Sequence, residues 1–135
     1  LVEMLDLSAT LLDLAGGEAP DYLQGISLRS ILTGESDGTG HRSFVRSEYF
    51  DALDPHFTGG SGTFATMHRT RRHKLCVYHG KGMGELFDLE ADPWEHDNLW
   101  DDPAHATLKN QLLAESFDAH VLLTTDMGSR RIAPM

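Results

Sequence analysis

Glu85-Leu86-Phe87-Asp88-Leu89-Glu90-Ala91-Asp92-Pro93-Trp94-Glu95-His96-Asp97-Asn98-Leu99 is the stretch on which the fold turns. Glu85 to Leu89 reads as a short strand, and Ala91 to Pro103 is acidic and broken by proline, hence loop or turn. Just upstream, Gly80, Gly82 and Gly84 mark a turn region, and His73 to His79 carries Leu75, Val77 and Tyr78 as a second strand. Arg71-Arg72 separates that strand from a third, Thr63 to Thr70, in which Phe64, Ala65 and Met67 mix with polar residues. The centre of the chain therefore reads as antiparallel hairpins.

Working outward, Ser43 to Phe50 is a further strand, with Phe44, Val45, Tyr49 and Phe50 supplying β-propensity. Asp51 to Gly62, with Pro55 and several glycines, is a long loop. Loops of that length between strands are commonly functional. Pro103 suits the first turn of a helix over Ala104 to Leu122, where Leu108, Leu112, Leu113 and Phe117 recur at helical spacing. The tail from Thr124 to Met135 has no period and is expected to lie extended along the surface.

At the other end, Leu1 to Ala15 reads as a helix closed by Gly16-Gly17. Glu3, Asp6, Thr10 and Asp13 form one narrow polar stripe, and leucines, Val2 and Met4 cover most of the rest. Such a helix expects cover on more than one side, and a chain of 135 residues has little material to provide it. In isolation it should self-associate through Leu1 to Ala15. Residues 17 to 42 form a connector with two short apolar elements. The fold class is α+β: about four antiparallel strands packed on a C-terminal helix, preceded by an apolar N-terminal helix.

Hydrophobic content of 40% and charged content of 24% are ordinary for a soluble globular protein. No apolar run is long enough to span a bilayer, so no membrane partner is expected and a soluble protein, cytoplasmic or periplasmic, is. The net charge of −10 repels phosphates and argues against nucleic acid. The single cysteine, Cys76, excludes an internal disulfide and reads as a small packed strand residue.

Three stretches resemble the sulfatase family, and they occur in that family's order. Asp6-Leu7-Ser8-Ala9-Thr10-Leu11-Leu12-Asp13-Leu14-Ala15-Gly16 is similar to its Asp-Leu-x-Pro-Thr-Leu-Leu-Asp-Leu-Ala-Gly helix, with Ala9 in place of the proline. Gln24-Gly25-Ile26-Ser27-Leu28 with Ile31-Leu32-Thr33-Gly34 resembles a second element. The third and most specific runs from Met67 to Leu99. It joins the Arg69-Thr70-Arg71-Arg72-His73-Lys74-Leu75 strand pair to the signature quoted above.

The resemblance implies that residues 1–40 close a larger α/β domain and that 41–135 form a C-terminal subdomain. It also implies an upstream catalytic domain acting on a sulfated small molecule or glycan with calcium and a formylglycine nucleophile. A phosphonate or phosphate ester hydrolase of the same superfamily, or a stand-alone interaction module, are the alternatives.

The chain itself offers neither nucleophile nor metal ligands. There is no Cys-x-Pro-x-Arg pentapeptide, since Val77-Tyr78-His79-Gly80 follows Cys76. Asp101-Asp102 and Asp97-Asn98 do not match the family's calcium pairs. No catalytic or metal residue is therefore assigned. The acidic run reads as turn caps, because its spacing is not that of a calcium loop. The eight histidines lack metal-ligand spacing and read as surface or half-buried residues. The Arg69-to-Lys74 cluster reads either as an anion site or as a hairpin end paired with the acidic excess. One substrate contact is expected, His56 in the long loop, because the family's C-terminal subdomain borders the active-site mouth.

Overall fold

A computed structural model describes residues 1–51 and 61–124. The element order is α1 (Met4–Leu14), α2 (Arg29–Leu32), β1 (Phe44–Phe50), β2 (Phe64–Thr70), β3 (His73–Tyr78), β4 (Met83–Asp88), a 3-10 turn (Pro103–His105) and α3 (Ala106–Thr124). The four strands form one antiparallel sheet in the order β1-β2-β3-β4. This is the α+β arrangement expected, with element ends shifted by a few residues. The last strand begins at Met83 rather than Glu85, because Tyr78 pairs with Met83 across the Gly80–Gly82 turn. Residues 29–32 form one helical turn within the connector. The expected surface course of the C-terminal tail lies outside the described residues.

The chain divides into two compact units. One holds Ser43 to Ser116. Its register places Arg46, His68, Leu75 and Leu86 in a single row across the sheet. The first turns of α3 cover the Leu75–Leu86 end of this row: Leu112 packs with the buried Leu75 and Leu86, and Leu108, Leu113, Val77, Leu99 and Trp100 close around them. Each such leucine taken out of water contributes roughly 1.5–3 kcal/mol. Asp102 caps the helical entry by accepting the Ala104 N–H at 2.9 Å, and Pro103 occupies its first turn.

The edge strand β4 is closed by the turn that follows it. Asn98 Oδ1 accepts the Leu86 N–H at 3.0 Å, and its Nδ2 donates to the Gly84 carbonyl at 3.2 Å. The Leu99 N–H then donates to the Leu86 carbonyl at 2.8 Å. Those backbone groups would otherwise stand open at the sheet edge. A Cβ on Gly84 would overlap the Trp100 ring and the Cys76 carbonyl, so only glycine admits this packing.

The other unit holds Leu1 to Arg42 and the end of α3 from Phe117. Within it α1 is turned the opposite way from an ordinary amphipathic helix. Its buried residues are Asp6, Ala9 and Thr10, while Met4 (81% exposed) and Leu11 (69%) face outward with Val2, Leu5, Leu7, Leu12 and Leu14. The polar stripe faces its own unit and the leucines do not.

Candidate functional site

The densest polar constellation is built on that inward stripe. Asp6 has no exposed surface. Its Oδ1 accepts the Ile26 N–H at 2.8 Å, and its Oδ2 accepts the Glu3 N–H at 2.8 Å. Arg42 grips the same carboxylate through Nε, 2.9 Å from Oδ2, and through Nη2. His41 Nε2 lies 3.2 Å from Oδ2, and Glu3 Oε2 lies 3.3 Å from Arg42 Nη1. Burial by itself would raise the Asp6 carboxyl. The Arg42 guanidinium outweighs it, with the Ile26 and Glu3 N–H groups and His41, and holds Asp6 well below the usual carboxylate range.

The Gln24-to-Leu28 segment is stitched down beside it. Gly25 lies so close to the Leu5 carbonyl that a Cβ would overlap it. Thr10 Oγ accepts the Leu28 N–H at 2.9 Å, and Ser27 Oγ donates to Asp13 at 2.6 Å. Arg29 completes the line, 3.0 Å from Asp13. The residues of the first two motifs thus act on one another: helix α1 presents Asp6, Thr10 and Asp13, and the Gly-Ile-Ser-Leu segment binds them. This is a scaffold joint with every carboxylate partnered, leaving none poised as a general base. Sequence reasoning missed its centre, because Asp6 and Arg42 stand 36 positions apart with no local signal of the pair. The polar stripe itself was the available clue.

The expected substrate residue, His56, lies outside the described residues, but the base of its loop is visible. Asp51 takes a left-handed conformation (φ 45°), as does Gly62 (φ 64°). The Asp51 N–H donates to the Thr63 carbonyl at 2.9 Å, and Asp51 Oδ1 accepts the Gly62 N–H at 2.6 Å. Phe50 and Phe64 pair just below, with ring centroids 6.3 Å apart. The loop therefore springs from a pinned neck.

Two cations of the basic cluster are ion-paired within the fold. Arg72 holds Asp88 at 2.8 Å and reaches Glu90 at 3.4 Å, and Lys74 holds Glu95 at 2.5 Å. The Arg72 guanidinium brings the Asp88 carboxyl down to about 2. Asp88 also caps the Glu90 N–H, and Asp92 accepts the Asp97 N–H at 2.9 Å. The acidic run is a set of turn caps and ion pairs, as its composition suggests.

Cys76 is half-buried on β3, and burial pushes its thiol up to about 11, so it stays protonated and unreactive at neutral pH. Among the described residues no group of His, Cys, Asp and Glu side chains is arranged to hold a metal ion. The calcium and formylglycine that the family resemblance implies thus do not fit onto the residues described. His68 departs from expectation: it is a buried histidine, 2% exposed, with no partner for Nδ1 among the described residues.

The fold is thus a small antiparallel sheet covered by one helix in one unit and, in the other, a helix anchored by its polar stripe with its apolar face exposed. Residues 1–120 match the family described as N-sulphoglucosamine sulphohydrolase, C-terminal, and the chain belongs to that family as a sulfatase C-terminal domain. It is 34% identical over 133 residues to a delta 4,5-hexuronate-2-O-sulfatase of Bacteroides thetaiotaomicron, covering 93% of this chain and 26% of that protein. An arylsulfatase of Clostridium perfringens is 29% identical over 99 residues, 73% of this chain and 18% of the relative. Among solved structures, a phosphonate monoester hydrolase of Silicibacter pomeroyi superposes with a TM-score of 0.75 at 30% identity, over 93% of this chain and 26% of that one. The chain thus spans about a quarter of the length of the first of these relatives.

Proposed function

We propose that this chain is the C-terminal scaffold and active-site rim of a larger sulfuric ester hydrolase, and that it performs no catalysis by itself. The inside-out burial of α1 carries this reading. A helix that buries Asp6 and Thr10 and leaves six large apolar residues in water is a helix whose cover lies elsewhere. On this reading residues 1–40 end the parent's larger α/β domain and residues 41–135 form its C-terminal subdomain. The leucines of α1 meet the upstream catalytic portion. That portion supplies the formylglycine nucleophile and the calcium ion, for which no matching residues exist here.

The substrate class is a sulfated glycan. The hexuronate sulfatase among the relatives supports it, and the His56 loop between two strands is of the kind that commonly carries function. A second reading, a phosphonate ester hydrolase, is favoured by the Silicibacter pomeroyi likeness. Kinetics on the parent enzyme separate the two. The parent should turn over a 4-nitrophenyl sulfate ester in preference to the matching phosphonate ester. His56→Ala should raise KM for a sulfated disaccharide about tenfold while leaving turnover of the small aryl ester near the wild-type value. Preference for the phosphonate, or an unchanged KM, would sink the respective claim.

A further inference from the structure

We propose that His68 is an acid-sensitive release built into the sheet: protonating its imidazole loosens the docking of residues 106–116 of α3 on β3 and β4. The proposal is independent of which ester the parent cleaves. Its basis is where His68 sits. On the central strand β2 it lies between Arg46 of β1 and Leu75 of β3, in the row whose Leu75–Leu86 end α3 covers. Its ring packs on Phe44, with centroids 5.0 Å apart and planes tilted by 31°.

The charged groups around it are few. β1 brings Arg46, which is ion-paired with Glu48, and α3 brings Glu115; the β3 neighbour is the fully buried Leu75. Glu115 attracts a cation at this position, Arg46 repels one, and neither makes an ion pair with the imidazole among the described residues. Burial is the largest influence and favours the neutral ring.

The sign follows from linkage. A histidine held below its unfolded value of about 6.5 binds its proton more readily when the sheet opens. The folded arrangement is then fully stable above that pH and loses stability as pH falls below it. Once pH is below both values, each unit separating them lowers the closed-to-open ratio about tenfold. Leu75, beside His68, is part of the core on which Leu112 rests. The opening is therefore felt first where α3 meets the sheet.

The test uses the full chain. A proton NMR titration of the assigned His68 ring should give a midpoint below 6.5. Amide exchange at Leu108, Leu112 and Leu113 should accelerate between pH 7.5 and 5.0, and His68→Gln, which keeps polarity without a titrating charge, should remove most of that acceleration. A His68 midpoint at or above 6.5 overturns the proposal, and so does an unchanged pH dependence of exchange in His68→Gln. Should the variant fail to fold, the wild-type titration midpoint decides by itself.

Discussion

Asp6 carries more of the N-terminal unit than any other side chain, because three parts of the chain converge on its carboxylate: its own helix, the connector at Ile26, and the His41-Arg42 pair. Removing the charge breaks a buried ion pair and leaves Glu3 as Arg42's remaining carboxylate partner, which costs up to about 3–5 kcal/mol. Asp6→Asn should therefore lower the urea midpoint sharply. Because the folded carboxyl is held below its unfolded value of 3.8, its stabilisation is complete above that pH and fades as pH falls below it. Urea midpoints between pH 6 and pH 2 should fall more steeply in the wild type than in Asp6→Asn. Parallel slopes would show that Asp6 is not held as described. Gly84→Ala forces a methyl into the Trp100 ring and should destabilise by about 1–3 kcal/mol in thermal melts, where an exposed glycine such as Gly40 would tolerate alanine. At this scale the sequence was legible where the partner was local, as for Asp88 capping Glu90 within the acidic run read as turn caps. It was opaque for Asp6–Arg42 and for the burial of His68, which strand pairing and helix cover decide and no window of sequence displays.

Among the elements, α1 was both the best and the worst read. Its helical period and its stop at Gly16 were plain, and its excess of apolar surface was noticed. The direction it faces was not deducible, since a stripe of Glu3, Asp6, Thr10 and Asp13 ordinarily points to water. The Gly25-to-Leu28 segment reverses that, offering backbone N–H groups and a serine hydroxyl to the stripe. The reversal makes an unusual prediction about leucines. Leu7→Gln with Leu11→Gln should change the unfolding free energy by no more than about 0.5 kcal/mol, whereas Leu112→Ala should cost about 2–5 kcal/mol. The same double variant should suppress self-association of the isolated chain. Sedimentation velocity should show concentration-dependent growth for the wild type and a monomer for the variant. A wild-type monomer at high concentration with α1 ordered would contradict this. The hairpins were legible for a simpler reason: alternation, glycine turns and an Asn-Leu signature are all local, and the sheet order follows from joining neighbours.

For the molecule as a whole, the chain is a sulfatase C-terminal domain that spans about a quarter of the first-named relative. No helix among the described residues is long and apolar enough to cross a membrane. Its acidic excess is partly spent internally on Arg42, Arg72 and Lys74, and its polar clusters hold elements together. What the family resemblance carried was the scaffold, because the matching motifs are the joint at Asp6, the Gly-x-Ser-Leu strap and the edge closure at Asn98. The scaffold role requires that the chain have no hydrolytic chemistry of its own. The most direct measurement is hydrolysis of a 4-nitrophenyl sulfate ester by the purified chain of confirmed mass, with calcium present. Release should be no faster than in buffer, and saturable calcium-dependent turnover that co-elutes with the chain would overturn the scaffold reading.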